Sequence, residues 1–200
     1  MRESAFLRYA RAICIVLAVI GLAFIGGFFI RRALDRKQQL KMMEAYEKRM
    51  AELGEESDHH YVGGLDPDIK YVDGDTIAIL RLDRLGIKVA VTQGTDKDAL
   101  RVSAGHFNGG DMPGEGNFAI AGHSSLIYTC LFNKMHDAVV GDEIDVLSDT
   151  GKHRYVVSEI RVASPYETDV VEHTNESVLT IVTCTNNGKE RLIIRGVEVV

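Results

Sequence analysis

A cysteine thiolate is a strong nucleophile near neutral pH, and it suits attack on an acyl carbon. The 200 residues contain three cysteines, at positions 14, 130 and 184. Cys14 stands inside an apolar run and reads as a small hydrophobe. Cys184 ends the run Leu179-Thr180-Ile181-Val182-Thr183, directly before the polar Thr185-Asn186-Asn187. A thiol at the end of a buried strand is held rigidly and still reaches solvent. Cys184 is therefore the candidate nucleophile, and a buried structural cysteine is the plainer alternative. Three cysteines are too few for a disulfide framework, although Cys130 and Cys184 could pair.

A nucleophile needs a proton acceptor and a group to stabilise the charge it creates. His123 follows the apolar Asn117-Phe118-Ala119-Ile120-Ala121, beside Gly122, which would let another chain come close. His59, His60, His136, His153 and His173 lie in polar or turn-like segments, and His106 is the one rival. In Arg191-Leu192-Ile193-Ile194-Arg195, strand alternation sets both arginines on one face. A guanidinium on a mostly apolar strand is costly unless it meets a cleft or an anion, and it can stabilise an oxyanion. Cysteine, histidine and a cation together are the minimum set for acyl transfer through a thioester.

Strands must carry these groups. Runs rich in Val, Ile and Thr, separated by Gly, Asn and Asp, predict strands at 76–82, 87–92, 117–121, 143–147, 154–162, 178–182 and 192–199. Short helices are expected at 97–101 and 126–135, the second holding Cys130. Without a regular β–helix–β alternation, a doubly wound sheet is disfavoured and a barrel of seven or eight strands fits best. Gly114-Glu115-Gly116-Asn117-Phe118-Ala119 matches G-x-G-x-x-A but precedes a strand instead of opening a helix, so a dinucleotide site fails on context. Glu159, Glu167, Asp169, Glu172 and Glu176 read as a solvated acidic loop, with calcium binding as the alternative. Asp58-His59-His60 lacks the spacing of a closed metal site.

These segments resemble the sortases, membrane-anchored cysteine transpeptidases of Gram-positive bacteria. Thr180-Ile181-Val182-Thr183-Cys184 is similar to the family's T-L-x-T-C signature. Asn117 to His123 resembles its histidine strand, and Arg191-Leu192-Ile193-Ile194-Arg195-Gly196 its arginine strand. The resemblance implies a mainly β fold, an eight-stranded sortase-like barrel with short helices. It implies Cys184 as nucleophile, His123 as acid and base, and Arg191 as oxyanion donor. Thr183 and Ala121, beside them, are the expected substrate-binding residues. The implied reaction cleaves an LPXTG-like sorting signal between Thr and Gly and passes the acyl group to an amine of a cell-wall precursor, without an organic cofactor. The link between 154–162 and 178–182 is too short for the long helix of class B enzymes, and the chain ends at Val200 right after its last strand, so class A or class D is expected. A thiol hydrolase sharing the same residues, and a non-catalytic envelope-binding module on a degenerate barrel, are the rival readings.

The amino-terminal third has a different composition. Residues 12–30 contain no charged side chain. As a helix this run would span about 28 Å, close to the hydrocarbon core of a bilayer. It exceeds a signal-peptide h-region and is not followed by an A-x-A site, so an uncleaved anchor is expected. Residues 33–53 lack Gly and Pro and set Met43, Tyr46, Met50 and Leu53 on one helical stripe, which reads as a stalk with a partly apolar face. The expected organisation is a tail at 1–11, a transmembrane anchor at 12–30, a helical stalk and linker at 31–70 and the catalytic barrel at 71–200. Residues 1–50 carry 10 Lys+Arg and 4 Asp+Glu, against 13 and 25 in residues 51–200. So acidic a globular part is a poor nucleic-acid binder. Three arginines precede the run and five basic residues follow it closely, which by charge alone sets the barrel in the cytoplasm. The resemblance implies the opposite: a single-pass protein of the cell membrane with an extracellular catalytic domain.

Overall fold

The apolar run and the helix formers after it fold as one helix, α1 (Arg2–Glu56), in the computed structural model of the chain. The structure describes residues 2–56, 71–124, 132–185 and 188–199. Most of the expected linker, with His59 and His60, and Cys130 lie outside the described residues. α1 is long and apolar enough to cross a membrane, and its large apolar side chains from Ile13 to Ile30 are exposed.

The remaining elements are β1 (Thr76–Leu82), β2 (Ile87–Gln93), α2 (Lys97–Val102), β3 (Ala104–His106), β4 (Asn117–Gly122), β5 (Glu143–Ser148), β6 (Gly151–Ala163), β7 (Val178–Cys184) and β8 (Arg191–Val199). Among the described residues the eight strands close a barrel in the order β1-β2-β3-β4-β7-β8-β6-β5. The pairs β2–β3 and β4–β7 are parallel and the others antiparallel. Seven strands match the expected positions within a few residues; β7 and β8 reach further, to include Cys184 and Arg191. β3 was not expected from the sequence, because three residues containing a glycine carry no periodic signal. The helix expected at 97–101 is α2, whose first turn is capped by Asp96 accepting from the N–H groups of Asp98 and Ala99. Of the helix expected at 126–135, the described part is a 3-10 turn, Asn133–Asp137, instead of an α-helix.

Alternation sorts the strands. Phe118 and Ile120 of β4, Leu179 and Ile181 of β7, and Leu192 and Ile194 of β8 pack inside with Phe132 and Tyr155. Fully burying a side chain of this size contributes about 1.5–3 kcal/mol. The stripe on α1 is not a free stalk face. Met43, Tyr46 and Met50 bury against Ile79 of β1 and Ala90 of β2 on the barrel's outer surface. Tyr46 Oη donates to the carbonyl of Ile77 at 2.6 Å, and Lys88 pairs with Glu47 at 2.6 Å. The Leu53 side chain lies outside the described ones.

Candidate active site

The site is built from three strands that are neighbours in the barrel, β4, β7 and β8. In the parallel β4–β7 pair, Gly122 stands opposite Thr183. His123 and Cys184 each follow one residue later, so they leave the pair side by side. In the antiparallel β7–β8 pair, Cys184 stands opposite Arg191. Directly opposed residues project to the same face of a sheet, and neighbouring strands lie about 4.8 Å apart. Because Ile120, Ile181, Thr183 and Leu192 take the inner parity, Cys184 and Arg191 belong to the outer face of the barrel. Ala119, Ala121, Thr180, Val182, Ile193 and Arg195 continue that face away from the strand ends.

Several contacts fix this end. Thr183 is buried, and its Oγ1 donates to the carbonyl of Gly122 at 2.7 Å, tying β7 to β4. Phe132 packs onto Gly122, so closely that a Cβ there would lie 2.2 Å from the ring. This is the close approach that a glycine beside His123 permits. Phe132 N–H donates to the His123 carbonyl at 3.3 Å, and Ser124 Oγ shares a hydrogen bond of 2.9 Å with His136 Nε2. His136 therefore braces the histidine loop, a role its polar sequence surroundings did not reveal.

His123 is partly buried, and desolvation lowers its pKa below the ordinary histidine value. A neutral imidazole is consequently favoured, the form that accepts a proton. Cys184 is half-buried with a free thiol. Arg191 Nη1 donates to the Glu190 carbonyl at 3.2 Å, which holds the guanidinium near the strand start. Ala121 is half-buried on the outer face. His106, the rival histidine, is enclosed in the barrel wall: Nδ1 meets Gln93 Oε1 at 3.0 Å and Nε2 the Asp111 carbonyl at 3.0 Å. Burial lowers its pKa as well.

The connection from β6 to β7 forms one side of this face. It holds one short 3-10 helix, Asp169–Val171. Asn117 Nδ2 donates to the carbonyls of Val170 and Glu172 at 3.0 and 2.9 Å. Asp111 accepts from Asn117 N–H at 2.7 Å and from His173 Nδ1 at 2.9 Å, and these contacts lower its pKa against the opposing effect of burial. Glu159 and Glu167 of the acidic stretch pair with Arg161. Among the described residues no group of three or more His, Cys, Asp or Glu is placed to hold a metal ion.

Comparison with known proteins agrees with the barrel fold. The family model described as "Sortase domain" matches residues 80–199. The chain is similar to a Sortase D5 transpeptidase of Clostridium perfringens, with 32% identity and a TM-score of 0.65 over 84% of this chain and 99% of that one. It is 24% identical to Sortase A of Bacillus anthracis over 92% of this chain and 91% of the relative. It is 23% identical to Sortase D of Bacillus subtilis over 92% of this chain and 96% of the relative. The closed barrel and a domain match that spans most of it lead to one assignment: the chain belongs to the sortase family.

Proposed function

We propose that this sortase is a membrane-anchored cysteine transpeptidase of the class A or class D type, which acts on proteins bearing an LPXTG-like sorting signal. The neutral imidazole of His123 takes the proton of the Cys184 thiol. The thiolate attacks the carbonyl carbon of the signal's Thr, and Arg191 stabilises the resulting oxyanion. As the Thr–Gly C–N bond breaks, His123 returns its proton to the leaving Gly amine. An amine of a cell-wall precursor then attacks the thioester, His123 takes up the amine's proton, and Cys184 leaves as a thiol after receiving it. The peptide lies over Ala121 on the outer face, while Thr183 keeps β4 and β7 aligned beneath it. The steps need no organic cofactor.

The observation that carries this reading is the register that sets His123, Cys184 and Arg191 at one end of three adjacent strands. α1 supplies the anchor, and the barrel faces outward, where sorting signals and wall precursors meet.

Product analysis tests the reaction. With a sorting-signal peptide and an added amine, the ligated peptide is expected as the main product. Hydrolysed peptide alone, unchanged by the amine, would indicate a thiol hydrolase. Absence of cleavage across a panel of signals would indicate a binding module. Protease shaving of intact cells tests orientation: residues 71–200 should be accessible, and their protection would refute the outward topology.

A further inference from the structure

Beside the barrel, α1 carries a groove that the transpeptidase reaction does not use. Ile20, Ala23, Phe24, Gly27 and Phe28 line its apolar length, and the cavity measures about 800 Å³. Their 3-1-3-1 spacing sets them on a single helix face. Ala23 and Gly27 keep the floor low, and a Cβ added at Gly27 would meet nothing within 4 Å. Arg31, Arg32 and Asp35 continue the groove, and Arg101 of α2 closes it. Asp35 is buried and pairs with Arg101, which brings a barrel residue onto the anchor helix. Three arginines and one aspartate thus line this end of the groove.

Depth gives the groove its meaning. At about 1.5 Å per residue, Ile20 to Arg31 covers about 16 Å, roughly half the hydrocarbon thickness of a bilayer. With residues 12–30 as the span, Ile20 sits near the midplane and the arginines sit at headgroup level. An apolar trough one leaflet deep, ending in a net positive cluster, complements a lipid with an acyl chain and an anionic head.

We infer that this groove binds an anionic phospholipid of the leaflet next to the barrel. The acyl chain lies over Ala23 and Gly27, and the phosphate meets Arg31, Arg32 and Arg101. Bridging α1 and α2, the lipid fixes how the barrel stands on the membrane. The inference rests on the reading of α1 as the membrane anchor.

The test uses the full chain in detergent, titrated with phosphatidylglycerol, phosphatidylcholine or soluble glycerol phosphate and followed by native mass spectrometry. Phosphatidylglycerol should bind more tightly than phosphatidylcholine. Arg101→Gln should weaken phosphatidylglycerol binding about fivefold, the effect of about 1 kcal/mol per basic group at an anionic lipid surface. Arg101→Lys should retain most of it. Gly27→Leu, which fills the trough without touching the barrel, should weaken lipid binding and leave glycerol phosphate unaffected. Lys48→Gln, exposed on α1 beyond the groove, should change nothing. Equal binding of the two lipids, or wild-type binding by both Arg101→Gln and Gly27→Leu, overturns the inference. Glycerol phosphate binding as tightly as phosphatidylglycerol would reassign the cluster to a soluble anion and also overturn it. Liposome flotation separates the two readings: a chain that fails to float refutes the anchor, and one that floats without lipid preference refutes the lipid site alone.

Discussion

Cys184 and Arg191 are the terminal partners of the β7–β8 ladder, and four residues further along β8 Arg195 stands opposite Thr180. The two arginines share a face but are separated by about 13 Å at strand spacing. One oxyanion at Cys184 can engage only the nearer. Removing a donor aimed at a developing oxyanion costs about 3–4 kcal/mol, or roughly 10²–10³ in rate. Arg191→Ala should lower kcat/KM by that factor, and Arg191→Lys should also be poor because an ammonium lacks the planar fork. Arg195→Ala should leave turnover nearly intact. Steady-state kinetics at equal folded fraction checks the order, and a larger loss for Arg195→Ala would assign the role to the wrong arginine.

The Gly122–Phe132 contact predicts a second effect. An added methyl at 122 collides with a buried ring one residue before His123. Gly122→Ala should lower the melting temperature and reduce kcat more than a stability-matched core variant such as Ile144→Val. Overpacking typically costs about 1–3 kcal/mol. Equal kcat for the two variants would separate Gly122 from positioning of the histidine.

Buried His106 makes stability depend on pH in a defined direction. Its folded pKa lies below the unfolded value of about 6.5, so the unfolded state binds the extra proton first. The stabilisation is complete above that value and is lost as pH falls toward the folded pKa. His123 acts in the same direction. Melting temperature should therefore fall on acidification from about pH 6.5, and His106→Gln should flatten the curve. A wild-type curve that is level between pH 7 and 5 would contradict this.

Docking of α1 on the barrel is open to a separate test. Tyr46→Phe removes the hydrogen bond to Ile77 and leaves its carbonyl without that donor. A loss of about 1 kcal/mol is expected, the typical net contribution of such a hydrogen bond. Chemical denaturation of the full chain in detergent measures it, and no loss would mean that the helix contact does not stabilise the barrel.

How far the sequence carried these conclusions depends on the range of the signal. Strands such as Thr76–Leu82 and Val178–Cys184 were legible because β-branched runs bounded by Gly and Asn report local structure directly. That Cys184, His123 and Arg191 stand at the ends of such runs was legible as well, whereas the roles proposed for them came from the resemblance of their segments to sortase motifs. β3 was not, since its three residues are strand only through pairing with β2 and β4. The stripe of Met43, Tyr46 and Met50 gave the buried face of a helix but not its partner, which lies 29 to 47 residues away at Ile79 and Ala90. The Asp111–His173 bridge was hidden for the same reason: it joins two loops that only the closed barrel brings together.

The central claim is that Cys184 forms the acyl-enzyme, and mass spectrometry of the intact protein after mixing with a sorting-signal peptide tests it most directly. A thioester adduct should appear on the peptide fragment containing Cys184, with the mass of the acyl part up to Thr, and should disappear when an amine acceptor is added. Cys184→Ala should form no adduct and cleave no peptide while keeping the wild-type melting curve. Turnover retained in Cys184→Ala, or an adduct mapped to Cys130, would contradict the account.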